Sequence, residues 1–280
     1  MVTRYNYGKK EVDACLSVLV ELMTILGEFR DNIVLVGGWV PYFLMEKNRH
    51  EHVGSLDIDI ALDFQKISVD TYKTILQILK SRGDEEGKQP FIFYRTIPTE
   101  SGGNITVEVD LLTGEYGGTG KSHRTQSIQD IRARKARGCD LVFKQNCLLK
   151  ISANMPDGAL NEVTVKIATF IPFLVMKGMC IWDRYKAKGT YDIYFIILHY
   201  PDYINELVKI FQPFKSNKLV REGLGKIKAK FKDIDAPGPV WLINFEDIDD
   251  EEEKERVRRD AYERVNVFLD ALGIEEFKEG

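Results

Sequence analysis

Asp57 and Asp59 stand two residues apart in the segment Gly54-Ser55-Leu56-Asp57-Ile58-Asp59-Ile60. Read as a strand, residues 56–60 alternate: Leu56, Ile58 and Ile60 take a buried face, and the two aspartates share the other. Like charges on one face repel. A hard divalent cation such as Mg²⁺, which prefers carboxylate and phosphate oxygens, relieves that repulsion. Upstream, the apolar strand Ile33-Val34-Leu35-Val36 runs into Gly37-Gly38-Trp39. A Gly-Gly turn leading from a strand into a helix exposes backbone N–H groups at a positive helix end, where a phosphate can sit. Downstream, Ile105 to Leu111 alternates in the same way, with Val107, Val109 and Leu111 inward and Asp110 outward beside Thr106 and Glu108. If this strand neighbours the first, Asp57, Asp59 and Asp110 converge. Three carboxylates around two divalent ions form a site for in-line phosphoryl or nucleotidyl transfer. One ion lowers the pKa of the attacking hydroxyl and the other holds the triphosphate and the leaving pyrophosphate. Taken singly, each acid reads as an ordinary solvated side chain; the chemistry lies in the conjunction.

A second group of charges follows. Lys177 and Arg184 are seven apart and so share one helix face. Asp192 falls near the start of the next helix, close enough to pair with one of them. Two cations oriented by an acid suit triphosphate binding, although alone they read equally well as a solvated helix end.

The elements that must position these groups are legible in outline. Val12, Leu16, Leu19, Val20, Met23 and Leu26 give helical spacing over residues 10–29, with Gly27 as a stop. A short helix is expected from Trp39 to Lys47 and a polar loop from Asn48 to Gly54. A helix over 70–80 turns Tyr72, Ile75, Leu76 and Leu79 inward, a charged loop covers 82–90, and strands cover 91–96 and 105–112. Strands are expected again at 140–144, 147–153 and 162–167, with turns at 144–146 and 156–158. After Thr169 the pattern is helical: 173–182, 191–199 and two further helices. A linker follows at Asp235-Ala236-Pro237-Gly238-Pro239, and then a closing helix from about Asp249. This predicts an α+β chain, with a mixed sheet and flanking helices over residues 1–168 and an α-helical domain over 169–280.

In order, Gly37-Gly38, Ser55-x-Asp57-x-Asp59 and Asp110 resemble the signature of the polymerase-β-like nucleotidyltransferase superfamily, a glycine pair followed by a D-x-D strand and a later Asp strand. The interval from Gly38 to Asp57 is longer than in the commonest form of that signature. Pro172 to Lys177, then Arg184-Tyr185-Lys186 and Gly189-Thr190-Tyr191-Asp192-Ile193, are similar to the C-terminal motif of the AbiEii-type toxin nucleotidyltransferases of bacterial abortive-infection systems. In that family a Lys, an Arg-x-Lys and a Lys-Asp-x-x-Asp-Ile/Leu pattern follow the earlier motifs. Gly189 stands where the family has the first Asp of its Lys-Asp pair. The resemblance covers roughly residues 30–200. It implies a polymerase-β-like nucleotidyltransferase fold whose helical half completes the nucleotide site. It also implies transfer of an NMP from an NTP to a hydroxyl of an RNA, protein or small-molecule acceptor. Gly37, Gly38 and Ser55 would bind triphosphate, and Asp57, Asp59 and Asp110 would hold two Mg²⁺ ions, with Mn²⁺ as a substitute. Asp110 would also activate the acceptor hydroxyl. Lys177 would neutralise phosphate charge, with Asp192 orienting it or Arg184, and Arg184 and Lys186 would add nucleotide contacts. The expected partners are the NTP, an acceptor such as tRNA or protein, and a cognate antitoxin.

Other signals compete. Gly114 to Ser122 follows a strand and ends in Gly120-Lys121-Ser122, but it has five residues rather than four between Gly114 and Gly120, so it misses the P-loop spacing. A P-loop phosphotransferase using Lys121 and a non-catalytic NTP-binding protein on the same fold are the alternatives. Lys121, His123, Arg124, Arg132, Arg134, Lys135 and Arg137 form a basic cluster, expected on a helix from about Ser127, that could hold RNA phosphates. His50-Glu51-His52 offers two histidines that could suggest a metal, but two histidines two apart in a polar loop read as solvated. The net charge of −4 excludes a general polycation. There is no run of about 18 apolar residues for a membrane span. A polar N-terminus without a signal-peptide core and four scattered cysteines with no C-x-x-C pair point to a reduced cytoplasmic protein.

Overall fold

The computed structural model describes residues 2–89, 91–99, 102–115, 125–128, 131–200 and 204–279. In chain order its elements are α1 (Lys9–Ile25), β1 (Ile33–Val36), α2 (Trp39–Leu44), β2 (Asp57–Leu62), α3 (Val69–Ser81), β3 (Asp84–Glu86), β4 (Ile92–Pro98), β5 (Asn104–Thr113), β6 (Thr125–Ile128), β7 (Ile131–Lys135), β8 (Asn146–Asn154), β9 (Leu160–Ala168), α4 (Phe170–Asp183), α5 (Ala187–His199), α6 (Ile204–Phe211), α7 (Lys218–Lys230), α8 (Pro237–Glu246) and α9 (Glu251–Ala271). This is an α+β chain with a mixed sheet, flanking helices and a helical C-terminal half. It divides into an α/β unit, Tyr7–Val40 with Gly54–Thr169, and a helical unit, Met1–Asn6 with Pro41–Val53 and Phe170–Gly280. Among the described residues no helix is long and apolar enough to cross a membrane.

In the α/β unit the strands run β3-β4-β5-β2-β1-β9-β8, with β7 on the end of β5 and β6 on β7. The central pair, β2 and β5, is parallel, and its register sets Asp57 opposite Glu108 and Asp59 opposite Asp110. β1 is antiparallel to β2, with Val36 opposite Asp59. Alternation does the rest: Ile58, Ile60, Val109 and Leu111 are fully buried on the other face. Burying four such side chains contributes about 6–12 kcal/mol. Repulsion between neighbouring surface carboxylates on strands ~4.8 Å apart costs about 1–4 kcal/mol per pair. The apolar face therefore wins and locks the register, because a slip of one residue would drive the aspartates into the core. α1 packs on this unit through Val12, Cys15, Val18, Leu19 and Leu22.

In the helical unit α4 packs on α7, α5 on α8, and α9 against α5, α6 and α8. Asp250 caps α9 by accepting from the Glu253 N–H at 2.8 Å, and Glu251, Glu252 and Glu253 complement the positive helix end.

Several expected elements differ. The helix after Gly38 stops at Leu44, and a 3₁₀ segment covers Glu46–Glu51 in place of a loop. Residues 82–90 contribute the short strand β3. Residues 140–144 are not a strand; Gly138, at φ +88°, turns the chain into a 3₁₀ turn at Cys139–Leu141. In place of the expected helix from Ser127 stand β6 and β7, an antiparallel pair that sets Ile128 opposite Ile131; the charge density around Ala133 masks the alternation of a strand. The expected linker at 235–239 opens α8, because proline is tolerated in a first turn, where its missing N–H has no intrahelical acceptor.

Arg95 on β4 reaches Glu21 of α1 at 2.7 Å and Asp84 of β3 at 3.5 Å, all three largely shielded from water. Burial raises the Asp84 carboxyl and the Arg95 charge opposes that shift. Arg95→Met strands two shielded acids, and denaturant unfolding should show a loss of about 3 kcal/mol. A loss within about 0.5 kcal/mol would show that the triad is not holding α1 to the sheet.

Candidate active site

The acidic face of β2 and β5 is built around the turn that ends β1. Gly37 has φ +73°, and a Cβ placed on it would lie 1.9 Å from Asp59 Oδ2. The Asp59 carboxylate therefore rests directly on the Gly37 backbone, where no side chain fits. Trp39, fully buried, donates from Nε1 to the Asp57 carbonyl at 2.9 Å and ties α2 to the start of β2. Ser55 donates from Oγ to Asp57 Oδ1 at 2.6 Å. Asp57 is exposed, Asp59 half-buried and Asp110 buried. Asp110 Oδ2 accepts from the Arg134 guanidinium at 3.3 Å. Glu108 extends the face, and its charge is the largest influence raising the Tyr94 hydroxyl opposite it.

Two buried thiols register the same negative field. Burial, then Asp57, pushes Cys15 well up; burial, then Asp140 and Asp59, pushes Cys139 up. Both stay protonated and inert.

Carboxylate oxygens are the donors a hard divalent ion takes. Mg²⁺ typically binds through one or two of them, completed by water and substrate phosphates. Asp57 and Asp59 fit that pattern in kind. Among the described residues no three His, Cys, Asp or Glu side chains sit close enough to share one ion, and Asp110 is bonded to Arg134. The glycine turn leads into α2, which has only six residues. Any anion affinity there comes from individual N–H groups rather than a long helix dipole.

The helical unit carries a separate cluster. Asp192, on α5, is fully buried. Lys177 of α4 pairs with its Oδ2 at 2.8 Å, and Lys188 pairs with its Oδ1 at 2.5 Å. His52 Nε2 lies 3.1 Å from Oδ1 and is also fully buried. Burial alone would raise the Asp192 carboxyl, but Lys177, Lys188 and His52 together hold it well below the carboxylate range. Burial, then Lys188, lowers His52 to about 4, against the pull of Asp192. An ionised carboxylate can only accept, so the imidazole facing it is assigned the tautomer with the proton on Nε2, which donates to Asp192.

The structure thus places Asp57, Asp59 and Asp110 on one face with Gly37 and Ser55, and it joins Lys177 to Asp192. It does not bring Arg184 to Asp192: Arg184 is exposed and reaches Cys180 Sγ at 3.6 Å. Lys186 is exposed and precedes α5. Gly189 lies inside α5, where a Cβ would stand 2.9 Å from the buried Ile181 Cγ2; an acid at this position would have to displace the core. His52, expected in solvent, is buried. Lys188, four residues before Asp192, could have been found from helical spacing alone. Lys121, His123 and Arg124 lie outside the described residues. Of the rest of the basic cluster, Arg134 pairs with Asp110 and Arg137 with Glu115 at 2.7 Å.

Gly37→Ala forces both a left-handed alanine and a displaced Asp59, so denaturant unfolding should show a loss of about 2 kcal/mol. His52 has a folded pKa near 4 against an ordinary 6.5. The unfolded chain therefore binds the extra proton first, and stability present above pH 6.5 is lost as the pH falls toward 4. Asp192, also lowered, acts in the same direction. Unfolding at pH 7 and pH 4 should show wild type losing about 3 kcal/mol more than His52→Gln. Equal losses would contradict the burial of a neutral imidazole.

No protein-family profile matches the chain, and no curated protein sequence does. Among solved structures, an antigenic nucleotidyltransferase-like protein from Paracoccidioides brasiliensis aligns at 18% identity and TM-score 0.44, over 82% of this chain and 93% of that one. JHP933 from Helicobacter pylori aligns at 16% identity and TM-score 0.39, over 92% of this chain and 93% of that one.

Proposed function

We propose that the protein is a metal-dependent nucleotidyltransferase that moves an NMP from an NTP to an acceptor hydroxyl. The observation that carries this reading is the register of β2 and β5, which sets Asp59 beside Asp110 on the face where Asp59 rests on the Gly37 turn. In this reading Asp57 and Asp59 hold Mg²⁺, which supplies charge neutralisation on the triphosphate when bound. Ser55 fixes the Asp57 carboxylate. The N–H groups around Gly37 and Gly38 face phosphate oxygens. Asp110, oriented by Arg134, accepts the proton of the attacking hydroxyl. In the helical unit, Lys177 paired with Asp192 is the cation to which the sequence resemblance assigns phosphate charge. The acceptor would be a tRNA, a protein or a small molecule, and the protein would act as the toxin of a toxin–antitoxin pair, as the sequence resemblance implies. The Arg134–Asp110 pair supports a second reading, an NTP-binding protein without turnover, because it ties up the third acid.

The test uses NTPs labelled at the α-phosphate, with Mg²⁺ and total RNA or cell lysate. Wild type should transfer label, and Asp57→Ala should reduce transfer by at least about 100-fold. Label incorporation unchanged in Asp57→Ala would remove the site. NTP binding by calorimetry with no incorporation under any acceptor condition would select the second reading.

A further inference from the structure

We infer that His52 is a positioning residue: by donating to Asp192 it holds Lys177 and Lys188 together as a seat for a polyphosphate anion. Asp192 Oδ1 accepts from Lys188 at 2.5 Å and from His52 at 3.1 Å, while Lys177 forms an ion pair with Oδ2 at 2.8 Å. The carboxylate is fully buried, whereas the lysine side chains keep 19% and 13% of their surface. Solvent therefore reaches the cluster along its lysine side chains and not at its acid. The charges of these three side chains, two ammonium ions and one carboxylate, sum to +1 in a largely shielded setting, where charge attracts an anion most strongly. His52 adds no charge. It supplies the second hydrogen bond to Oδ1, beside that of Lys188, and so holds the carboxylate with Oδ2 toward Lys177.

The ring itself is fixed by packing. Its centroid is 4.8 Å from Phe195, 5.4 Å from Tyr191 and 6.3 Å from Tyr42. The Tyr191 hydroxyl accepts from the Val53 N–H and donates to the Glu51 carbonyl, both at 3.3 Å, and so clamps the backbone on either side of His52. An imidazole held on three sides by aromatic rings, with one nitrogen aimed at a buried carboxylate, is built to set that carboxylate's orientation. Lysine ammonium groups are flexible point charges that need such an organiser if they are to meet a phosphate as a pair.

The inference rests on the nucleotidyl-transfer reading only in naming the anion as a polyphosphate. The test is calorimetric titration of the full chain with inorganic tripolyphosphate, without divalent ions, at pH 7.5. Wild type should bind, and Lys177→Met and Lys188→Met should abolish binding. His52→Ala should weaken it about tenfold, the size expected for losing one hydrogen bond to a charged group. Glutamine places its amide nitrogen near the position of Nε2, whereas asparagine reaches only that of Nδ1. His52→Gln should therefore restore affinity to within about threefold of wild type, and His52→Asn should not. A residue that only fills space would lose the same in both, and the Gln–Asn comparison decides the matter even if His52→Ala fails to fold. No binding by wild type, unchanged affinity in His52→Ala, or equal affinities of the Gln and Asn variants would overturn the inference. Absence of nucleotide transfer, with this pattern intact, would overturn the transfer reading alone.

Discussion

The close approach of the Asp59 carboxylate to the Gly37 backbone is the contact on which the rest of the acidic face depends. It requires a left-handed residue at 37 with no side chain, and only glycine meets both conditions cheaply. It also requires Asp59 to point away from the core. That direction is set by the register of β2 against β5, and the register is set by Ile58, Ile60, Val109 and Leu111 on the opposite face. The chain of cause runs from apolar burial to register, from register to carboxylate direction, and from there to a face able to attract a cation. Trp39 and Ser55 then tie the neighbouring Asp57 by its carbonyl and its side chain.

The helical unit solves an opposite problem. A fully buried carboxylate is costly unless it is paired and hydrogen-bonded. Asp192 meets that condition with two lysines and a neutral histidine, whose attraction outweighs the burial that would otherwise protonate it. Gly189 belongs to the same economy of space: α5 carries no side chain where Ile181 already fills the core.

The acidic face was legible in the sequence because its determinants are local. Period-two alternation, an Asp pair and a double glycine can be read within short windows, and they sufficed to place β1, β2 and β5 and to direct Asp57, Asp59 and Asp110 to one side. What escaped depends on distant partners. His52 is buried by a carboxylate 140 residues away, so its polar neighbours His50 and Glu51 misled. Arg134 reaches Asp110 only because β7 pairs with the end of β5, and its arginine-rich stretch masks the alternation that makes it a strand. The prolines at 237 and 239 read as a break, yet they start a helix, because a first turn and a linker share the same residues until tertiary packing chooses between them. Lys188 is the exception: its spacing of four from Asp192 on α5 is a local signal for the pair.

The central claim is that Asp57 and Asp59, braced by Ser55 and Gly37, form a seat for a divalent ion beside a nucleotide triphosphate. The most direct measurement is a crystal structure of the protein with Mn²⁺ and a non-hydrolysable NTP, read by anomalous scattering. The account predicts a manganese peak within coordination distance of both carboxylates, bridged to triphosphate oxygens, with Asp59 still against Gly37. A nucleotide bound elsewhere, or a manganese peak that neither aspartate touches, would contradict it.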